Sequence, residues 1–222
     1  MKLSTLTIPL GVLLFAAGGY MMVKARNFQQ ENSDSQASRS IDLNQWDKPK
    51  HPVNDAMRDA ARLMSTKLAP DVTLKSYLDQ DVRLGGYEKP QFVLFILWQC
   101  PCSIDAQPIM NDLSKQFKGK VDFVGVINKP VAQAKEWRDL YQMPFPTLAD
   151  PDKAAIHAYG IKQSVYSTLV SKGRIIKVWP GYSKRILEDI NQTLAAEIGE
   201  KARPFDPKYA PKEDTSGCYF DE

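Results

Sequence analysis

At 222 residues, with 43% hydrophobic and 25% charged side chains, the chain can bury one good core and is short for two full domains. Its formal net charge of +3 is spread over interleaved acids and bases, which excludes the basic stripe of a nucleic-acid binder. Three cysteines are too few for a disulfide framework, and the two histidines, His51 and His157, leave neither a His-rich zinc site nor an obvious base for a Ser-His-Asp or Cys-His arrangement.

Between Lys2 and Lys24 runs the uncharged segment Leu3 to Val23, at ~1.5 Å per residue just long enough to cross a hydrocarbon core of roughly 30 Å. Residues 1–26 are therefore expected to form an N-terminal transmembrane helix. A cleaved secretory signal is the alternative, because Ala16-Ala17-Gly18-Gly19 supplies small residues, but the apolar run continues past them. The flanking charges nearly balance, and the expected location is a membrane anchor with the domain on the extracytoplasmic side, periplasmic or extracellular. Residues 27–50 are dominated by polar side chains from Gln29 to Gln36 and read as a flexible linker. In 51–68, Val53, Ala56, Met57, Ala60, Leu63 and Met64 recur at helical spacing and predict an amphipathic helix.

Val72 to Lys75 and Val82 to Leu84 alternate apolar and polar residues around Leu78-Asp79-Gln80-Asp81, the pattern of a short hairpin. Phe92 to Trp98 is continuously apolar, as in a central strand buried on both faces, and it runs into Cys100-Pro101-Cys102. A helix through Ala106, Ile109, Met110, Leu113 and Phe117 closes at Gly119, and Val121 to Val126 is β-rich. Val131, Ala134, Trp137, Leu140 and Tyr141 predict another helix, and a short one runs from Asp150-Pro151-Asp152 to Gly160. A hairpin turns at Ser171-Lys172-Gly173, and a last helix through Ile186 and Leu194 ends near Gly199. This order predicts an α/β domain over 69–200, a central mixed sheet flanked by helices on both faces, followed by a proline-rich tail at 201–222 that carries Cys218.

The chemistry points to Cys100. A cysteine where a buried strand gives way to a helix meets unpaired backbone N–H groups and the positive end of the helix dipole, which stabilise its thiolate. Cys102, two residues on, is near enough to attack a mixed disulfide, and a tail of about twenty residues at roughly 3.3 Å each lets Cys218 reach the same place. Gly217, Cys218, Tyr219 and Phe220 form a cluster that can dock on an apolar groove with its sulfur toward Cys100. The resolving thiol is thus Cys102 or Cys218. No cofactor and no metal ligand set is expected.

Residues Ala69 to Ile198 resemble the redoxin, or AhpC/TSA (alkyl hydroperoxide reductase/thiol antioxidant), branch of the thioredoxin-like superfamily, which includes membrane-anchored members. The resemblance rests on Ala69-Pro70-Asp71-Val72-Thr73-Leu74, the strand entering the cysteines, Pro108, Pro144-Phe145-Pro146, Leu148-Ala149-Asp150-Pro151, Ala158-Tyr159-Gly160-Ile161 and the hairpin with Lys172-Gly173-Arg174. It implies a thioredoxin-like fold and places Cys100 on the family's nucleophilic cysteine. Ser103 falls on the second cysteine of the two-cysteine motif, Leu97 on the threonine of the peroxidatic loop, Leu94 on the buried acid of thioredoxin and Val165 on its cis-proline. The expected function is membrane-tethered thiol-disulfide exchange with a protein thiol or disulfide substrate or an upstream reductant. A peroxiredoxin-like thiol peroxidase and a copper-delivery protein are the alternatives.

Overall fold

The computed structural model describes residues 51–222. The expected anchor and linker lie outside the described residues. No helix among the described residues is long and apolar enough to cross a membrane.

In chain order the elements are α1 (Asp55–Met64), β1 (Thr73–Ser76), β2 (Asp81–Arg83), β3 (Gln91–Ile96), α2 (Pro101–Gln116), β4 (Asp122–Ile127), α3 (Val131–Leu140), β5 (Thr147–Ala149), α4 (Ala154–Ala158), β6 (Ser167–Ser171), β7 (Arg174–Trp179) and α5 (Lys184–Glu197). The strands form one seven-stranded sheet in the order β2-β1-β5-β4-β3-β6-β7. β3 pairs parallel to β4 and β4 to β5, whereas the β1–β2, β1–β5, β3–β6 and β6–β7 pairs are antiparallel. The sheet is therefore mixed, with its parallel core made by the two strand-helix-strand crossovers.

Every residue of β3 is buried, as its unbroken apolar run predicts. Phe92, Leu94 and Ile96 face a layer formed by α2, α3 and α5, and Val93 and Phe95 face α1 and α4. Each such side chain contributes roughly 1.5–3 kcal/mol by leaving water, so β3 is the element that both layers hold in place. Its carboxyl end, where the chain passes to α2, is consequently a fixed platform.

Two details differ from the sequence reading. The inward stripe of α1 is Met57, Ala61 and Met64 and not the one through Ala56, Ala60 and Leu63; Leu63 is 67% exposed. Alanines on both sides of the stripe left the apolar arc too broad to orient, and Met64, which a Cβ at Gly160 would meet at 3.6 Å, sets it. β5 has only three residues next to Pro144 and Pro146, too few to show alternation.

Candidate active site

Beyond Ile96 the chain leaves the sheet through Leu97, Trp98 and Gln99. Trp98 donates its N–H to Asn128 Oδ1 at 2.9 Å, Leu97 donates to Ser103 Oγ at 3.3 Å, and Cys100 N–H returns to Leu97 O at 3.2 Å. Gln99, at φ 60°, makes the sharp turn in the left-handed region. Cys100 is the N-cap of α2, with Pro101 at the first helical position and Ile104 N–H donating to Cys100 O at 3.1 Å. Serine, threonine or aspartate usually fills that place. Here a sulfur stands where free amide groups and the helix dipole favour negative charge.

Cys100 is only 3% exposed, and its Sγ is enclosed by donors. Ser164 Oγ–H donates from 3.3 Å and Cys218 N–H from 3.4 Å, and Cys218 Sγ lies 2.9 Å away. Of its neighbours, the Cys102 thiol does most to lower the Cys100 pKa. Against burial, which works the other way, hydrogen bonds from Cys102, Cys218 and Ser164 hold the Cys100 thiol far below the ordinary thiol range, pulled down to about 3. The donors themselves move in the opposite direction. Donation to Cys100 together with burial pushes Cys102 far up, and burial followed by donation to Cys100 pushes Cys218 up to about 11. These opposed directions favour one thiolate, on Cys100, flanked by two thiols.

All three cysteines named from the sequence meet here, and they come from three parts of the chain: the N-cap of α2, its first turn and the tail. Cys102 is buried against the core of the α2 layer, while Cys218 is half-buried and directly opposed to Cys100. The tail reaches this point through an isolated antiparallel bridge between Gln163 and Tyr219. Ser164 N–H donates to Cys218 O at 2.9 Å, Gly217 N–H to Ser164 O at 2.9 Å, and Phe220 N–H to Lys162 O at 3.0 Å. Gly217 permits that approach, because a Cβ there would sit 1.9 Å from Ser164 Oγ.

The sequence reading missed two residues. Ser164 donates to the reactive sulfur; the only pointer to it was its neighbour Val165, aligned with the thioredoxin cis-proline. Val165 is held at φ 63°, a costly conformation for a β-branched side chain, with its N–H donating to Phe95 O of β3 at 2.8 Å. That kink delivers Ser164 to Cys100. The second is Asp214, whose carboxylate takes Ser183 Oγ–H at 2.7 Å and the guanidinium groups of Arg58 and Arg185, tying the tail to α1 and α5. Nothing in its sequence surroundings marks it.

Leu94 packs in the core and Leu97 is partly buried against it, so neither supplies an acid or a hydroxyl beside Cys100. His157 contacts Asp221 at 3.2 Å. No group of three or more His, Cys, Asp or Glu side chains able to hold a metal ion forms among the described residues.

The fold is shared with solved structures. An uncharacterized conserved protein from Geobacillus kaustophilus superposes with a TM-score of 0.57 at 20% identity, covering 70% of this chain and 90% of that one. A putative thiol:disulfide interchange protein DsbE from Chlorobium tepidum gives 0.53 at 22% identity, covering 61% and 98%. Peroxidoxin BcpB from Mycobacterium tuberculosis gives 0.52 at 16% identity, covering 61% and 96%. At these identities the likeness is one of fold, which is thioredoxin-like. No curated protein matches the chain. The sequence profile of the AhpC/TSA family matches residues 66–178, a span that holds Cys100, Cys102 and Ser164 and stops short of Cys218. On that match the chain belongs to the AhpC/TSA family, with the tail and its cysteine added outside the matched module.

Proposed function

We propose that the chain is a thiol-disulfide oxidoreductase in which Cys100 is the nucleophile and Cys218 the resolving thiol. The observation that carries this reading is the 2.9 Å separation of Cys100 Sγ and Cys218 Sγ, within about 1 Å of a disulfide bond length of ~2.04 Å. Cys102 Sγ is the thiol that keeps the Cys100 thiolate solvated by donation, a supporting role that needs its proton.

In the first step the Cys100 thiolate attacks one sulfur of a partner disulfide. The Cys100–partner S–S bond forms, the partner's own S–S bond breaks, and the partner's second sulfur leaves as a thiolate that takes up a proton. Consuming the Cys100 charge removes one of the influences that opposed ionisation of Cys218, burial being the other. Cys218 then loses its proton and attacks Cys100 Sγ; the Cys100–Cys218 bond forms and the partner's first sulfur departs as the second thiol. The partner disulfide gains two electrons and two protons, one proton from Cys218 and one from solvent, and the chain's thiolate-thiol pair becomes a disulfide. An external dithiol restores it, and with partner roles exchanged the same steps run backward as oxidation.

Incubating the reduced full chain with a model protein disulfide tests this. Cys100→Ser is expected to abolish exchange, by at least about a thousandfold, because the nucleophile is gone. Cys218→Ser is expected to accumulate the covalent Cys100–partner adduct, visible on a non-reducing gel. A Cys218→Ser chain that turns over normally with no adduct assigns resolution to Cys102. Steady Cys100-dependent consumption of hydrogen peroxide with no disulfide exchange replaces the partner disulfide by a peroxide, with Cys100 passing through a sulfenic acid.

A further inference from the structure

The site just described is closed by the chain itself. Cys100 Sγ contacts Cys218 Sγ, Cys218 N–H and Ser164 Oγ, and at 3% exposure the residue offers no line of approach to a disulfide carried on another protein. An attacking thiolate and the disulfide it opens must lie in line, and that line is filled by Cys218. The occupant is fastened on both sides. Ahead of Cys218, the Asp214 carboxylate is held by Arg58, Arg185 and Ser183, Thr215 exchanges both backbone hydrogen bonds with Tyr182, and Ser216 N–H donates to His51 O at 2.9 Å. Gly181 permits the Tyr182 pairing, since a Cβ there would meet Thr215 O at 2.1 Å. Behind it, Phe220 is buried to 4% exposure as part of the core cluster that includes Val93, Phe95, Tyr159 and Ile161.

The pairing between these anchors is that of a strand. Lys162 and Ser164 present N–H and C=O groups outward from the sheet's end, and 217–220 satisfies them. A second polypeptide bringing a cysteine to Cys100 needs the same backbone groups and the same sulfur position. We propose that residues 214–220 are an intramolecular competitor of the protein partner, so that a partner reaches Cys100 only by displacing the tail and adding its own cysteine-bearing strand along Lys162–Ser164. The tail also states what fits: an extended segment with glycine immediately before the cysteine, because a Cβ there clashes with Ser164 Oγ, and an aromatic residue two positions after it to fill the Phe220 site. This rests on Cys100 being the exchanging thiol, as proposed above. It adds that partner affinity is reduced by the fraction of chains whose tail is docked.

The test is accessibility, which needs no exchange chemistry. Cys100 of the reduced full chain is labelled with iodoacetamide and, separately, with a bulky polymer-linked maleimide, and the modified residue is identified by peptide mapping. In Phe220→Ala and in Asp214→Asn the bulky-to-small rate ratio is expected to rise at least about tenfold as the tail opens. A synthetic peptide of residues 213–222 carrying Cys218→Ser should restore protection to the Phe220→Ala chain, and the same peptide with Gly217→Ala should not. Asp214→Asn, isosteric and away from the core, decides the matter if Phe220→Ala unfolds. An unaltered chain whose Cys100 takes the bulky reagent as readily as the variants, or a peptide that gives no protection, overturns the proposal. Failure of the exchange assay with gating intact removes the oxidoreductase reading and with it the exchange partner, leaving the tail as a cover over Cys100.

Discussion

Cys100 draws its reactivity from neighbours that the chain supplies over long separations. Of the donors on its sulfur, Cys102 was visible at two residues' distance and the N-cap position followed from the strand-to-helix transition, whereas Ser164 had no local mark because only the kink at Val165 brings it in. A hydrogen bond to a charged group is worth about 1.5–3 kcal/mol, and one pKa unit is 1.36 kcal/mol, so Ser164→Ala is expected to raise the Cys100 pKa by about 1–2 units. The sign follows from the depressed value. In the unaltered chain, pulled down to about 3, the thiolate persists from neutral pH into strong acid, and alkylation of Cys100 stays flat until pH falls near that value. The same depression links to stability: the contribution is fully present above the unfolded thiol pKa of about 8.5 and declines as pH falls toward the folded value. Alkylation profiles of the two chains measure the shift. Coincident profiles leave Ser164 without influence on the charge.

At the level of elements, the strands and helices that bury a clear stripe were legible. β3 showed its two-sided burial as an unbroken apolar run, and α5 its face through Ile186, Leu187, Ile190 and Leu194 with Ser183 capping Ile186 N–H at 3.1 Å. The tail was legible in its cysteine and aromatics but not in its mooring, because Asp214 meets Arg58 and Arg185 across distances in sequence that no periodicity encodes. That mooring is acid-sensitive. Burial raises the Asp214 pKa, but donation from Ser183, Arg185 and Arg58 outweighs it and the net movement is downward. A depressed carboxylate stabilises above its unfolded pKa of about 3.9, and the contribution disappears as pH falls through the folded value. Amide exchange at Thr215 and Ser216 should therefore quicken below about pH 4 relative to amides of β3, and Asp214→Asn should show the quickened exchange at neutral pH with no acid step. An acid step that survives in Asp214→Asn assigns it to another group.

For the molecule as a whole, the question is which disulfide the oxidised chain carries, and the two candidates differ in how much of the fold they enclose. A Cys100–Cys218 bond joins residues 118 apart, running from the strand-helix junction through both layers to the tail. By loop-closure entropy such a crosslink removes about 5 kcal/mol of freedom from the unfolded chain, whereas a ring closed between Cys100 and Cys102 removes about 1.5 kcal/mol. The native state already holds Cys218 in place by backbone pairing on Ser164, so closing the long loop asks little movement of the folded chain. Closing the short ring draws the sulfur of Cys102, on the first turn of α2 and buried at 6% exposure, into a strained small ring. At about 2–4 °C per kcal/mol for a unit of this size, oxidation through Cys218 is expected to raise Tm by on the order of 10 °C. Oxidation through Cys102 raises it by about a third of that or lowers it through lost packing. Thermal unfolding of the oxidised and reduced full chain, with Cys102→Ser and Cys218→Ser measured alongside, separates the two. The large shift should survive in Cys102→Ser and vanish in Cys218→Ser. A shift that instead follows Cys102 would place the redox couple within α2, and the tail would then act on Cys100 only by covering it.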